Sequence, residues 1–337
     1  MLKAESELIK YLIKQCHEIE EDPKKLQSIA PKQPRKPTFI RIDRVLGGNL
    51  YAAISRDLQH ECTQNRDRGS IYYKLPEVVD LSFWCSPIED QGTLNACTAH
   101  AGVALVEYFE RRSFSQYVDA SRLFLYKTAQ KLMQREGDSG ASVRETMKAM
   151  VLFGVPPEQY YSYDEANFDA EPDAFCYAYA QNYQAIRYFR LDDSQLHPGE
   201  LLAQIKLTLA SGFPCMFGFT VYDSIEHPAT PKGHIPYPKQ DNKREGGHSV
   251  VAIGYDDYKQ VKNAPQPGAI LIRNSWGTSW GEQGYGWLPY DYVLNGLARD
   301  WWSLLKSEWI ETGSFGLGAS FSWSAISDGK GNDITSP

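Results

Sequence analysis

Apolar positions divide the chain into a helical half followed by a β-rich half. Between Cys97 and Arg112, the residues Ala101, Ala104, Leu105, Tyr108 and Phe109 recur at i, i+3, i+4, i+7 and i+8. That is the spacing of one helical face. Arg111 and Arg112 close the run, where the helix dipole favours cations. Similar spacing predicts helices over 120–135 and 142–153, and two more over 171–183 and 199–211. Gly154 and the Pro156-Pro157 pair end the segment at 142–153. Beyond residue 212 the apolar runs shorten and become β-rich: Cys215–Tyr222, Ser249–Tyr255 and Ala269–Arg273. Helices first and strands later predict an α+β protein in two lobes.

The flanks read differently. Leu8, Ile9, Leu12, Ile13, Cys16 and Ile19 fall at helical spacing within residues 1–21. Such a helix either docks on its own domain or serves as a removable, inhibitory pro-segment. Pro31, Pro34 and Pro37 follow; each fixes φ and lacks an amide donor, so the stretch reads as an extended linker. Residues 38–75 are weakly patterned and acquire no role. A long Pro-rich loop, Asp223–Gly246, separates the first two β-runs. Residues 311–337 are rich in Gly and Ser and read as a tail. The expected division is therefore 1–75, 76–310 and 311–337.

Composition narrows the function classes. A chain of 337 residues, 42% hydrophobic, can bury one large core or two lobes sharing an interface. The net charge of -7 is modest and its signs are interspersed, so no nucleic-acid partner is expected. Lys3, Glu5, Glu7 and Lys10 interrupt any apolar leader. No stretch reaches the roughly 18 apolar residues of a membrane helix. A cytoplasmic location without membrane contact is the expectation, with delivery by a signal-independent route left open. The six cysteines are scattered and form no CxxC pair. Free thiols follow, with no metal site and no organic cofactor.

The candidate chemistry begins at Gln91-Gly92-Thr93-Leu94-Asn95-Ala96-Cys97, which runs directly into the strongest helix. A cysteine at a helix N-terminus has its thiolate stabilised, and unpaired first-turn amides lie beside it. Alone this is weak, because a free cysteine is more often a small buried hydrophobe. A thiolate nucleophile needs an imidazole, itself held by a third group. Gly246-Gly247-His248 places His248 at a strand mouth, and Asn274 ends the next run. If those strands pair, the two side chains meet at one edge. His100, three residues after Cys97, reads as an ordinary helix residue. His17, His60, His197, His227 and His234 read as solvated.

These segments resemble the papain-like (C1) cysteine peptidases, most closely their bacterial, disulfide-poor branch. Gln91 stands six before Cys97, as the family's oxyanion glutamine does. Gly246 to Tyr255 is similar to the histidine strand, and Arg273-Asn274-Ser275-Trp276-Gly277 through Gly286 to the asparagine motif. The resemblance covers about residues 76–310. It implies a helical left lobe and an antiparallel, β-barrel-like right lobe with the active-site cleft between them. It implies Cys97 as nucleophile, His248 as base, Asn274 as orienting group and Gln91 in the oxyanion hole, with a thiolate–imidazolium pair. Gly140, Ala141, Ser142, Gly246 and Trp276 would border the substrate, Trp276 also covering the His–Asn contact. Thr98 stands where the family has Trp, and Leu94 and Asp138 stand at two of its disulfide positions. The implied activity is endopeptidase hydrolysis of peptide or protein substrates through a thioester, by a monomer. A non-catalytic peptide-binding module, or an amidase or acyltransferase, would use the same residues.

Overall fold

A computed structural model of the chain describes residues 75–183, 187–192, 196–226, 232–306, 308, 309, 312, 314 and 315. The expected N-terminal helix, the proline linker and residues 316–337 lie outside the described residues.

The helical lobe is built on α1 (Cys97–Phe114), with α2 (Arg122–Leu132), α3 (Val143–Leu152) and α4 (Ala174–Ala180). Ser115 ends α1 in the left-handed region, φ 55°, its N–H returning to the Arg111 carbonyl at 2.8 Å. The single apolar stripe expected for α1 is too narrow. Every residue from Thr98 to Phe109 is buried, because the helix is covered by the sheet on one side and by α2 and α3 on others. Ser121 and Ser142 cap α2 and α3 through their hydroxyls, as small polar N-caps do. Helix α4 is shorter than the predicted 171–183. Pro172 bars earlier entry, Asp173 caps the Cys176 amide at 2.8 Å, and the last turn tightens into a 3₁₀ turn at Gln181–Tyr183. Helix α5 (Pro198–Ala210) follows the expectation, and a short α6 spans Asp291–Leu294.

The strands are β1 (Val78–Asp80), β2 (Arg187–Arg190), β3 (Cys215–Tyr222), β4 (Arg244–Asp256), β5 (Ala269–Arg273), β6 (Tyr285–Pro289) and β7 (Ala298–Leu305). Among the described residues they form one antiparallel sheet in the order β2-β7-β3-β4-β5-β6, with β1 also paired to β4. The sheet curls against α1 but is not closed, since β2 and β6 lie at opposite ends of the order. Strand β4 begins five residues before the predicted run. His248 therefore lies within a strand, opposite Phe219, and not at its mouth. The charged pair Arg244-Glu245 and two glycines conceal that extension from an apolar pattern. Gly254 is where β1 crosses β4: a Cβ there would lie 2.1 Å from the Val79 carbonyl oxygen.

One continuous core joins helices and sheet. Trp301 of β7 stacks on Phe217 of β3 at 3.8 Å between ring centroids. Past β7, Trp309 stacks on Phe109 of α1 at 4.6 Å, and the Arg112 guanidinium donates to the Ser314 carbonyl at 2.9 Å. Phe315, within the expected tail, is buried against Phe213 and Phe109.

Candidate active site

Helix α1 begins at Cys97 itself. Ala96 supplies no capping side chain; the Ala99 N–H turns back to the Ala96 carbonyl at 3.0 Å, which leaves the Cys97 and Thr98 N–H groups outside the helix ladder. Cys97 is half-buried and unpaired. Burial pushes its thiol pKa up; the backbone amides of Ser249, Thr98 and Cys97 itself pull it down. The Ser249 amide belongs to β4, beside His248, so strand and helix start converge at the sulfur.

His248 is buried on β4, and burial lowers its pKa to about 4, against the opposing hydrogen bond it donates to Asn274. Its Nε2 lies 2.7 Å from the Asn274 Oδ1, just past the end of β5. That oxygen also accepts the Ser275 N–H at 2.8 Å. A carboxamide oxygen only accepts, so Nε2 carries the proton and Nδ1 keeps its lone pair. Trp276 stacks on the imidazole at 4.5 Å and 28° between planes, with Trp280 edge-on against it at 5.5 Å. The indole thus shields the His–Asn contact from water.

Gln91 is tied to Ser275 twice and to its own turn once. Its N–H donates to the Ser275 carbonyl at 2.8 Å, its Oε1 accepts the Ser275 hydroxyl at 2.7 Å, and its Nε2 donates to the Leu94 carbonyl at 2.8 Å. One of the two Nε2 protons stays outside this set. The Gln91 carbonyl accepts from Tyr163 at 2.8 Å. Ser275 had no assigned role in the sequence; a hydroxyl directly after Asn274 is the only signal for it.

The segment Asp138–Ser142 lies against the residues preceding Cys97. Asp138 accepts from the Asn95 amide N–H and side-chain Nδ2, each at 2.8 Å, and from the Tyr126 hydroxyl at 2.7 Å. A carboxylate staple thus stands where the family resemblance implies a disulfide. Gly140 has φ 72°, donates to the Tyr126 hydroxyl at 3.0 Å, and would carry a Cβ into van der Waals contact with Asn95 at 3.8 Å. Among the described residues no hydrogen bond uses the Ala141 backbone. Ser142 is half-buried and its hydroxyl is occupied by the Glu145 amide at 3.2 Å. Gly246 is half-buried with open space around its Cα.

Behind the site lies a buried polar layer that the apolar pattern concealed. Arg273 donates to the carbonyls of Ser86 at 2.5 Å and Pro87 at 2.6 Å. Glu107 of α1 accepts from the Ser86 hydroxyl and from the Ala120 N–H at 3.1 Å. Burial pushes its pKa up from 4.5 to about 7, against the hydrogen bond from Ser86 and the nearby arginines. Arg122 pairs with Glu89 at 2.9 Å and Glu158 at 3.2 Å. His100, a residue of α1, belongs to this layer. It is buried, edge-on to Tyr163 at 4.9 Å, and burial lowers its pKa to about 3. Of the other histidines, His197 is at the start of α5 and His234 bridges to Trp287; His17, His60 and His227 lie outside the described residues. No cluster of His, Cys, Asp or Glu able to hold a metal ion occurs among the described residues. No helix there is long and apolar enough to cross a membrane.

Comparison with known proteins identifies the family. The family model described as "Papain family cysteine protease" matches residues 75–297. A peptidase C1-like protein of Acanthamoeba polyphaga mimivirus is 33% identical over 241 residues, spanning 68% of this chain and 73% of that protein. "Peptidase 1" of Psoroptes ovis is 25% identical over 263 residues, 76% of this chain and 73% of its own. Among solved structures, xylellain, a cysteine protease from Xylella fastidiosa, superposes with a TM-score of 0.59 at 34% identity, covering 68% of this chain and 86% of that one. The chain therefore belongs to the papain family of cysteine proteases and is a cysteine peptidase acting on peptide or protein substrates.

Proposed function

We propose that the chain is an endopeptidase in which Cys97, His248 and Asn274 act as a triad and Gln91 completes the oxyanion hole. The observation that carries this reading is the 2.7 Å contact of His248 Nε2 with an Asn274 oxygen that also holds the Ser275 amide. It leaves Nδ1 as the base. Burial disfavours each ion taken alone, so the proton leaves Cys97 for His248 as a pair, the two opposite charges forming together. The sulfur attacks the scissile carbonyl carbon, and the carbonyl electrons move to oxygen. That oxyanion is held by the Gln91 Nε2 and the Cys97 backbone N–H. Each such donor typically supplies about 2.7–4 kcal/mol of barrier reduction. Collapse expels the amine, which takes the proton from His248. Water, deprotonated by the same nitrogen, then cleaves the thioester and restores the thiol.

Gly140, Ala141 and Gly246 border the peptide, with Ala141 offering its backbone and Trp276 walling the site; Ser142 contributes through the helix it caps. Cys85, Cys97, Cys176 and Cys215 are all free thiols, which supports action in a reducing compartment such as the cytoplasm. The protein acts as a monomer, and residues 1–75 are a candidate pro-segment. A thiol-directed epoxysuccinyl inhibitor should add one adduct, at Cys97, and abolish cleavage of a random peptide pool. Cys97→Ala should give neither adduct nor cleavage. An unlabelled Cys97, or peptide cleavage that persists in the variant, refutes the assignment.

A further inference from the structure

An aromatic surface on the helical lobe is unused by the chemistry above. Tyr160, Phe175 and Tyr179 form a ring cluster with centroid separations of 5.3, 4.9 and 5.4 Å, and Tyr183 extends it at 6.0 Å. Phe175 is 52% exposed and Tyr160 37%. Solvent-facing stacked rings on a helix and its flanking turns form a platform, and such apolar patches mark interaction sites. The surrounding chain is acidic: residues 155–186 contain Glu158, Asp164, Glu165, Asp169, Glu171 and Asp173 and no Lys or Arg. Glu158, Asp169 and Glu171 are paired with Arg122, Lys127 and Lys131. Asp164, Glu165 and Asp173 are exposed and enter no ion pair among the described residues.

The same chain carries a segment with the complementary chemistry. Pro31-Lys32-Gln33-Pro34-Arg35-Lys36-Pro37 has proline at every third position and three cations with no anion. Proline at that period favours the polyproline II helix, which brings a proline to the same face every ~9 Å. Aromatic-lined surfaces recognise that helix because its conformation is already fixed and little entropy is lost on docking. Residues 38–74 separate the segment from the first described residue, a tether able to reach roughly 120 Å when extended. Length therefore does not forbid docking on the same molecule.

We infer that the basic, proline-rich segment 31–37 docks on the Tyr160–Phe175–Tyr179 face of its own chain, prolines against the rings and Lys32, Arg35 and Lys36 toward Asp164, Glu165 and Asp173. The inference is independent of the catalytic assignment. Zero-length carbodiimide coupling tests it in the full chain, because it joins a lysine only to a carboxylate in contact. Lys32 or Lys36 should couple to Asp164, Glu165 or Asp173 in preference to the other surface carboxylates. Phe175→Ala with Tyr179→Ala should lower that yield about 5-fold, as expected for loss of an aromatic contact. Replacing Pro31, Pro34 and Pro37 by Ala should lower it with every charge retained, and 1 M salt should lower it in the wild type. Coupling spread evenly over the surface, or a yield unmoved by both sets of substitutions, overturns the proposal. Coupling that joins isotopically light to heavy copies overturns it as well, since the docking is then between molecules.

Discussion

The Ser275 hydroxyl donates to the Gln91 side-chain oxygen across 2.7 Å, joining the segment before Cys97 to the segment after Asn274. This bond fixes the rotamer of the Gln91 amide, whose Nε2 is the oxyanion donor in the proposed mechanism. Ser275→Ala should lower kcat/KM about 10-fold, the value of a hydrogen bond near 1.4 kcal/mol. Alkylation of Cys97 by iodoacetamide should stay near the wild-type rate, because thiol and imidazole are untouched. Parallel losses in both measurements would mean that the hydroxyl supports the whole site and not the oxyanion contact.

Asn274→Ala removes the acceptor that fixes the His248 proton on Nε2. A base presented in the wrong tautomer loses roughly 10²–10⁴ in kcat. Steady-state kinetics with a fluorogenic peptide check this, with a thermal melt to show that the fold persists. A folded variant with near-normal kcat would remove Asn274 from the mechanism.

Asp138→Ala releases Asn95 and Tyr126 at once, and Tyr126 holds the Gly140 amide. The glycine loop should loosen against the start of α1. Peptide KM should rise about 5-fold, the loss of one net hydrogen bond, with a smaller change in kcat. An effect on kcat alone would contradict a role in seating substrate.

Glu107 imposes a pH dependence on stability. Its carboxyl titrates near 7 in the fold against 4.5 when free, so the folded state binds the extra proton. A raised acid destabilises as it ionises: its cost is absent below pH 4.5, grows as pH rises to 7, and is complete above. The cost is at most about 3 kcal/mol. Glu107→Gln should flatten unfolding free energy across that window, measured by urea titration at several pH values. An unchanged slope between pH 4.5 and 7 would show that other groups set it.

Gly254→Ala should displace β1, because the new methyl would meet the Val79 carbonyl oxygen at 2.1 Å. A loss of about 3 kcal/mol or more in urea unfolding is expected for such overpacking. A neutral outcome would mean that β1 yields without consequence.

The candidate site was legible because it is written in contiguous motifs. Gln91 with Cys97, the His248 strand and the Asn274 segment each carry their signal within a few residues. The helices were legible by period, and β3 and β5 by their apolar runs. Strand β1 has three residues, and β2 is half-charged, so neither presents a pattern. Strand β7 alternates poorly because the charged pair Arg299-Asp300 runs into two adjacent tryptophans, Trp301 and Trp302. The polar layer was hidden for another reason. Glu107, Arg122 and Arg273 look like surface charges until the fold supplies their partners from residues 21, 36 and 187 positions away. The Asp138 staple is likewise a long-range pairing, visible in sequence only as a missing cysteine.

The match to the family model ends at residue 297, but the molecule does not. Strand β7 starts at the next residue, lies between β2 and β3, and leads to Trp309 and Phe315 on the far side of α1. The stretch from Ala298 to Phe315 works as a hem, stitching the β2 side of the sheet to the rear of α1. A trimming exopeptidase that removed this hem would bare Phe109, Phe213 and Phe217 together, so chewing inward from the C-terminus should inactivate the enzyme by unravelling, well before it reaches any motif.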